Sequence, residues 1–138
     1  MPHTIAALLR LRLVTSGEAR RLLATRLGDE ARSEARLATH HRDLAHEKTT
    51  ITANLAELGL NPHAAIQAAY LARAARDISD STDARDADHH AGNAARQGYA
   101  QARADLRAAD LLAQHRAKRQ AVITARRDQF TLEDSCRR

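Results

Sequence analysis

The chain has 138 residues and a formal net charge of +5, and 43% of its residues are hydrophobic but 2% are aromatic. A globular core of this size normally relies on several large aromatic rings, so this composition argues against a compact globule and favours long helices packed in a thin seam. No stretch approaches the ~20 continuous apolar residues that span a bilayer. No secretory signal is apparent, and Cys136 has no second cysteine for a disulfide or a metal motif. These features favour a cytoplasmic protein.

The first 58 residues contain an apolar register that repeats every seven residues. Its apolar members are Leu9, Leu23, Leu37, Leu44, Ile51 and Leu58, and its polar members are Ser16 and Glu30. The companion register is expected four residues further on, with the members Leu13, Leu27, Leu55, Arg20, Glu34, His41 and Lys48. This periodicity is typical of a long helix whose narrow stripe is covered by another helix. Because Thr4 can cap its start, helix 1 is predicted over about 4–58.

A turn signal follows helix 1 in the residues Gly59-Leu60-Asn61-Pro62. Gly59 suits the left-handed position after a helix, and Pro62 suits the first position of the next helix, where no amide donor is needed. Since the connection is short, the two helices should be antiparallel neighbours. The predicted fold is all-α, a single antiparallel coiled-coil hairpin over residues 1–138. Its predicted parts are helix 1 at 4–58, the turn at 59–62, helix 2 at about 62–130 and a frayed tail at 131–138.

Helix 2 keeps a leaner seven-residue register. Its members are Leu71, Ile78, Arg85, Gly92, Tyr99, Leu106 and Ala113. The companion positions are Ala74, Ser81, Asp88, Ala95, Ala102, Ala109, Arg116, Ile123 and Phe130. The segment 79–93 has low helix propensity and a polar seam, which leaves open a kink, local fraying or a loop. Because Ile78 and Tyr99 are three heptads apart, their common phase favours a continuous helix.

The charge distribution and the unequal helix lengths predict two interaction surfaces. Residues 1–30 carry five arginines and three acids, and residues 91–138 carry ten basic residues and five acids. In a hairpin, residue 5 should lie opposite about residue 116, so the rest of helix 2 should overhang the N-terminus. The resulting basic pole has the candidate partner-binding residues Arg10, Arg12, Arg116, Lys118, Arg119, Arg126 and Arg127. The apolar tip near the turn has the candidates Leu58, Leu60, Ile66 and Tyr70, although Tyr70 could instead pack against Leu55 and Leu58.

The sequence predicts neither a metal site nor a catalytic one. A helical zinc pair needs histidines three or four residues apart, whereas His40, His41 and His46 are one, five and six residues apart. The other cluster consists of Asp86, Asp88, His89 and His90, which are expected to be solvated. There is no nucleophile arrangement or phosphate-binding glycine loop, and a two-helix fold offers little concavity for catalysis. We therefore assign no catalytic residue, no metal and no cofactor.

Three segments carry a resemblance to a known family. They are the N-terminal "LLRLRLVTSGEARRLLATRLGDEARSEARL", the mid-chain "AAYLARAARDI" and the closing "LLAQHRAKRQAVITARRDQFTLEDSCRR". The closing segment is Arg-rich and ends in an acidic pair followed by arginines. In layout and texture, nearly the whole chain resembles the FliJ/YscO family of type III secretion proteins. The Asp/His segment 80–90 departs from the strongly helical second arm of that family, and the abundance of alanine is a further departure.

The resemblance implies a non-enzymatic stalk or chaperone escort of a flagellar or injectisome export apparatus. Such a protein inserts the joined ends of its hairpin into the hexameric export ATPase and also contacts the export-gate membrane protein and secretion chaperones. It would be cytoplasmic, peripheral to the inner membrane, and a monomer or weak dimer.

Two alternatives to the stalk stay open. In the first, the basic C-terminal stretch binds nucleic acid through phosphate contacts, although it lacks the interleaved aromatic residues that single strands favour. In the second, the chain is a structural coil that dimerises through the leucine stripe of helix 1. In that case His41 and Lys48 in the seam would set the register.

Overall fold

The structure, a computed structural model, describes residues 3–58 and 63–136. It contains two helices, α1 (His3–Leu58) and α2 (Ala64–Cys136), and no strand within those two ranges. The helices pack against each other as a helical hairpin. The predicted all-α fold is confirmed.

The helix boundaries lie close to the predicted ones at both sides of the turn. α1 ends at Leu58, as predicted, while α2 begins at Ala64 and not at Pro62. The amide of Gln67 donates a hydrogen bond of 3.0 Å to the carbonyl of His63, which starts the bonding pattern of α2. The predicted turn at 59–62 lies outside the described residues.

The C-terminal end of α2 differs from the prediction, because the helix continues to Cys136 where a frayed tail was expected after residue 130. Local interactions account for the extra turns. The side-chain amide of Gln129 donates to the carboxylate of Glu133 over one helical turn, at 3.3 Å. The hydroxyl of Ser135 donates to the carbonyl of Leu132 at 2.8 Å. No glycine or proline follows Gly98 to interrupt the helix.

The polar segment 79–93 is helical throughout, so the continuous helix predicted from the common phase of Ile78 and Tyr99 is confirmed. Ser81 is buried in the seam, and the hydroxyl of Thr82 donates to the carbonyl of Ile78 at 2.8 Å. Packing against α1 therefore offsets the low helix propensity of this segment.

Contacts between residues divide the chain into two compact units, of which the first comprises residues 22–96. Its α1 seam residues are Leu23, Glu30, Leu37, Leu44 and Ile51, and its α2 seam residues are Leu71, Ile78, Arg85 and Gly92. Glu30 binds Arg96, whereas Leu44 lines a groove with Ala74. Because higher numbers on α1 meet lower numbers on α2, the helices of this unit are antiparallel.

The second compact unit, the terminal unit, comprises residues 1–21 and 97–138. Its seam residues are Leu9 and Ser16 from α1 with Tyr99, Leu106, Ala109 and Ala113 from α2. Leu9 and Leu106 line one groove, and Arg12 forms an ion pair of 2.8 Å with Asp105. In both units, the described members of the main register of each helix lie in the seam up to residue 113, as predicted.

The predicted companion register of α1 is wrong by one position. Leu13, Leu27 and Leu55 are 63%, 39% and 46% exposed. The polar members Arg20, Glu34, His41 and Lys48 are exposed as well. The second seam line lies three residues after the first and contains Arg12, Ala19, Ser33, His40 and Glu47.

The small size of the facing residues explains this correction. The most deeply buried positions of α2 include Ser81, Gly92, Ala95 and Ala109. Small residues let two helix backbones approach closely, and a close approach leaves room for serine or alanine beside the main register. The leucines at the predicted companion positions, four residues after the main register, consequently lie at the exposed edge of the contact between the helices. Since His41 and Lys48 are exposed, they do not set the register of this hairpin.

Candidate interaction surface

The last part of α2 is a helix without a covering partner helix within the described part of the chain. Ala113 is the last residue whose exposure is reduced, and every described residue from 114 to 136 is exposed. We call residues 114–136 the C-terminal overhang. The overhang was predicted from the unequal helix lengths, and the structure places its start within two residues of the expected residue 116.

Local interactions keep the overhang helical without tertiary packing. The sequence here is rich in alanine, glutamine, arginine and lysine, which have high helix propensity. Gln114 donates to Asp110 over one helical turn at 2.9 Å, and the hydroxyl of Thr124 donates to the carbonyl of Gln120 at 2.9 Å. The result is a preformed helical surface.

Charge is strongly segregated along the overhang. Residues 114–127 contain five cationic side chains and no acid, and residues 128–136 contain three acids and no cation. The cations are Arg116, Lys118, Arg119, Arg126 and Arg127, and the acids are Asp128, Glu133 and Asp134. All five predicted cations of α2 are therefore exposed on one uncovered helical segment.

The overhang also exposes large apolar side chains. These are Val122, Ile123, Phe130 and Leu132, and Phe130 is 70% exposed. Ile123 and Phe130 line one shallow groove together with Arg126 and Arg127. A surface that combines aromatic and aliphatic side chains with arginines has the composition of a protein-binding site.

The two predicted cations of α1 have different environments. Arg10 is exposed. Arg12 is half-buried, and its guanidinium donates to the carboxylate of Asp105 at 2.8 Å. Gln101 also donates to this carboxylate, at 2.9 Å. The charge of Arg12 is thus compensated within the terminal unit, where it stabilises the pairing of the two helices.

The predicted tip surface is described in part. Ile66 and Tyr70 are both exposed on α2. Tyr70 lines a groove whose α1 residues are His40, Asp43 and Leu44. Leu58 is the last residue of α1, its side chain is not described, and Leu60 lies outside the described residues.

A charged cluster around the buried side chain of Glu30, in the 22–96 unit, was not predicted as a site. The side chain of Glu30 is 10% exposed. One carboxylate oxygen, Oε1, lies 2.5 Å from Nδ1 of His89, and the other, Oε2, accepts a hydrogen bond of 2.9 Å from Arg96. Arg96 also donates to Asn93 at 2.7 Å. We call Glu30, His89, Arg96 and Gly92 the Glu30 cluster.

Gly92 makes room for the carboxylate of Glu30. A Cβ atom at position 92 would lie 2.8 Å from Oε2 of Glu30, which is shorter than ordinary contacts allow. The hydrogen bond from His89 lowers the pKa of Glu30 below its ordinary value, and the charge of Arg96 acts in the same direction. Partial desolvation opposes this shift. Glu30 is therefore held as an ion-paired carboxylate and has both oxygens engaged.

The Glu30 cluster links α1 to α2 in one register and does not resemble a catalytic site. A carboxylate with both oxygens bound is unsuited to act as a general base. Sequence reasoning treated Glu30 as an interruption of the leucine register. The sequence did contain one indication of the cluster: an acid, Glu30, lies in the main register of helix 1, and the smallest residue, Gly92, lies in the main register of helix 2.

The histidine clusters do not converge on a common point in the described residues. No group of three or more histidine, cysteine, aspartate or glutamate side chains there could hold a metal ion. His89 is instead bound to Glu30, and its ring lies 6.5 Å from that of His90. Across the described helices, none has a segment that is both long and apolar enough to cross a membrane.

Comparison of the chain with family models, with curated proteins and with solved structures found no match.

Proposed function

We propose that this chain is a non-enzymatic stalk of a type III (flagellar) protein export apparatus, similar to the FliJ/YscO family. In this proposal it is a cytoplasmic protein, peripheral to the inner membrane, that binds the hexameric export ATPase. The observation that carries the proposal is the C-terminal overhang, a preformed helix that is exposed on all sides over residues 114–136.

The chemistry of the overhang supports a protein partner with an acidic and partly apolar groove. Arg126 and Arg127 lie beside Ile123 and Phe130, so one groove presents both charge and apolar area. Arginine and aromatic side chains dominate the binding energy of many interfaces. The preformed helix reduces the conformational entropy that is lost on binding. Exposed Arg10 adds charge in the terminal unit, whereas Arg12 would support the surface indirectly through Asp105.

The tip is proposed as the second contact, toward the export-gate membrane protein or a secretion chaperone. Ile66 and Tyr70 are exposed at the start of α2, which supports this assignment. Large exposed apolar side chains close together are typical of protein-binding surfaces.

Charge reversal in the overhang tests the proposed ATPase contact. The double variant Arg119→Glu/Arg126→Glu should bind the purified hexameric ATPase of the same organism at least about tenfold more weakly, because two attractive contacts become repulsive. Isothermal titration calorimetry with the full chain measures this. The matched control is Arg36→Glu/Arg76→Glu, which changes the net charge equally at exposed positions of the 22–96 unit.

The control should bind like the unaltered chain. Equal binding by the overhang variant would remove the overhang from the ATPase contact. If the unaltered chain itself does not bind the ATPase, the stalk proposal is contradicted.

Nucleic-acid binding is the alternative favoured by one observation, the run of five cations without an acid in residues 114–127. Phosphate contacts of this kind predict an affinity for duplex DNA that falls steeply with salt, on a straight line of log Kd against log salt. Fluorescence anisotropy with a random-sequence duplex would measure it. Tight, salt-dependent binding without any binding to the ATPase would favour this alternative.

A further inference from the structure

We infer that the C-terminal overhang pairs in antiparallel orientation with the overhang of a second copy of this chain, about a two-fold axis beside Ala125. The inference rests on the exposure, spacing and charge order of residues 114–136 and does not require the proposed function. Because Ile123, Arg127 and Phe130 also line the groove proposed for the ATPase, self-pairing and ATPase binding would compete for one face. It names an interface and its occupant, and the resulting dimer differs from one that pairs through the leucines of α1.

The seam of α2 continues into the overhang without anything to cover it. Up to Ala113, the two registers of α2 are at least half-buried against α1, except for the residues of the turn region. Their continuation consists of Arg116, Gln120, Ile123, Arg127, Phe130 and Asp134, all exposed and spaced alternately by four and three residues. This spacing is the pattern by which one helix packs on another, so a further helix is the natural occupant.

Charge order selects a second copy in antiparallel orientation. The first part of the overhang, 114–127, has five cations and no acid, and the second part, 128–136, has three acids and no cation. Arg137 and Arg138 follow in the sequence, beyond the stretch 116–134 that is proposed to pair. Parallel pairing of two copies would place cations against cations and acids against acids. Antiparallel pairing places each cationic part against an acidic part, and a two-fold axis makes the contact self-complementary.

One register satisfies the charges and the seam together. With the axis beside Ala125, Arg116 of one copy faces Asp134 of the other and Gln120 faces Phe130, each contact occurring twice. Ile123 faces the aliphatic stem of Arg127 in the same way.

At the flank of this register, Arg119 comes beside Glu133 of the second copy, again twice. Arg126 comes beside its own symmetry mate, which gives one repulsive contact against four attractive ion pairs. The paired stretch, 116–134, begins three residues after Ala113, the last residue that α1 covers. The dimer is therefore expected to be weak and sensitive to salt.

Complementary charge variants of the full chain test this pairing by sedimentation equilibrium at low salt. The unaltered chain should show a concentration-dependent rise from 15.2 kDa toward twice that mass. Arg116→Glu/Arg119→Glu and Glu133→Arg/Asp134→Arg should each weaken self-association roughly a hundredfold, because symmetric ion pairs become repulsive. An equimolar mixture of the two variants should regain the dimer, since each supplies the charges that the other now needs.

The matched control is Arg107→Glu/Lys118→Glu, which lies outside both registers and should dimerise normally. Cys136, the single cysteine, is exposed and provides a spin-label position. In the antiparallel dimer the two Cys136 residues are separated by about 33 Å along the helix axes, whereas parallel pairing brings them together. Pulsed electron paramagnetic resonance measures that separation.

Three results would overturn the inference. The first is a mass of 15.2 kDa at every concentration up to the solubility limit. The second is a dimer that survives in each charge variant alone, as expected if the leucines of α1 form the contact. The third is a pair of variants that do not recover association when they are mixed.

Discussion

Two stretches of α2 share one helical period but have different environments. Residues 64–113 have two registers that are largely covered by α1, whereas residues 114–136 continue the same registers in full exposure. The covered registers use small side chains such as Ala95 and Ala109, while the overhang carries Ile123 and Phe130. A heptad pattern therefore predicts that one face of a helix is covered by another helix. The length of α1 decides whether the covering helix belongs to the same chain.

The two stretches also differ in how they use charge. In the covered stretch, Arg96 and His89 converge on the buried carboxylate of Glu30, and this contact holds one register between the helices. In the overhang, five cations and three acids are separated along the helix and have no partner on α1 among the described residues. Charge stabilises the fold in the first case and is available for association in the second.

The largest difference between covered and uncovered helix is expected when one aliphatic side chain is truncated in each. Leu37→Ala should lower the free energy of unfolding by about 1–2 kcal/mol, because Leu37 is half-buried in the seam. Val122→Ala should change it by less than about 0.5 kcal/mol, since Val122 is 52% exposed in the overhang. Urea unfolding followed by far-UV circular dichroism measures both. Equal losses would show that the overhang is packed in solution.

A second pair of variants tests whether the Glu30 cluster depends on close packing. Gly98→Ala should raise the free energy of unfolding by about 1 kcal/mol, because alanine favours the helix and nothing lies within 4 Å of the added Cβ. Gly92→Ala should lower it instead, since its Cβ would lie 2.8 Å from Oε2 of Glu30 and displace the carboxylate from Arg96.

The effect of Gly92→Ala on the free energy of unfolding should change sign when the carboxylate of Glu30 is removed. In a Glu30→Ala background, Gly92→Ala should become stabilising, again by about 1 kcal/mol. A Gly92→Ala variant that is already more stable than the unaltered chain would mean that the carboxylate moves aside without loss.

Much of the fold follows from sequence periodicity. The main registers, the continuous helix through 79–93 and the overhang beyond Ala113 are all consequences of helix length and phase. Periodicity could not decide between companion positions three and four residues after the main register. The larger leucines at the second choice favoured the wrong one, whereas in the structure the buried position is Ser33, three residues after Glu30.

The Glu30 cluster could not be predicted for a different reason. Its stability depends on which residues of two distant segments come opposite each other, and one residue of slip would separate Glu30 from His89 and Arg96. The candidate surface was predictable in its cations, because exposure of 114–136 follows from the helix lengths. The ion pair of Arg12 with Asp105 could not be predicted, because it depends on which residues of α1 and α2 come opposite each other in the terminal unit.

The smallest expected effect is the pH dependence of the covered stretch, because a single carboxyl group carries it. The pKa of Glu30 lies below its ordinary value of 4.5 in the folded chain. The folded state therefore gains stability from this group above pH 4.5 and loses it as the pH falls through the lowered pKa. Glu30→Gln removes this gain, so the difference in Tm between the unaltered chain and the variant should be constant above about pH 5 and shrink at lower pH.

Differential scanning calorimetry across that range measures the difference. Glu34→Gln is the matched control, since Glu34 is exposed and its loss corrects for the change of one negative charge. Because the overhang is uncovered, its removal should not alter this pH dependence. In a chain that lacks 116–138, Glu30→Gln should change the Tm by the same amount at each pH as it does in the full chain. A Tm difference that stays constant down to about pH 3 would mean that the contacts of Glu30 with His89 and Arg96 do not stabilise the covered stretch.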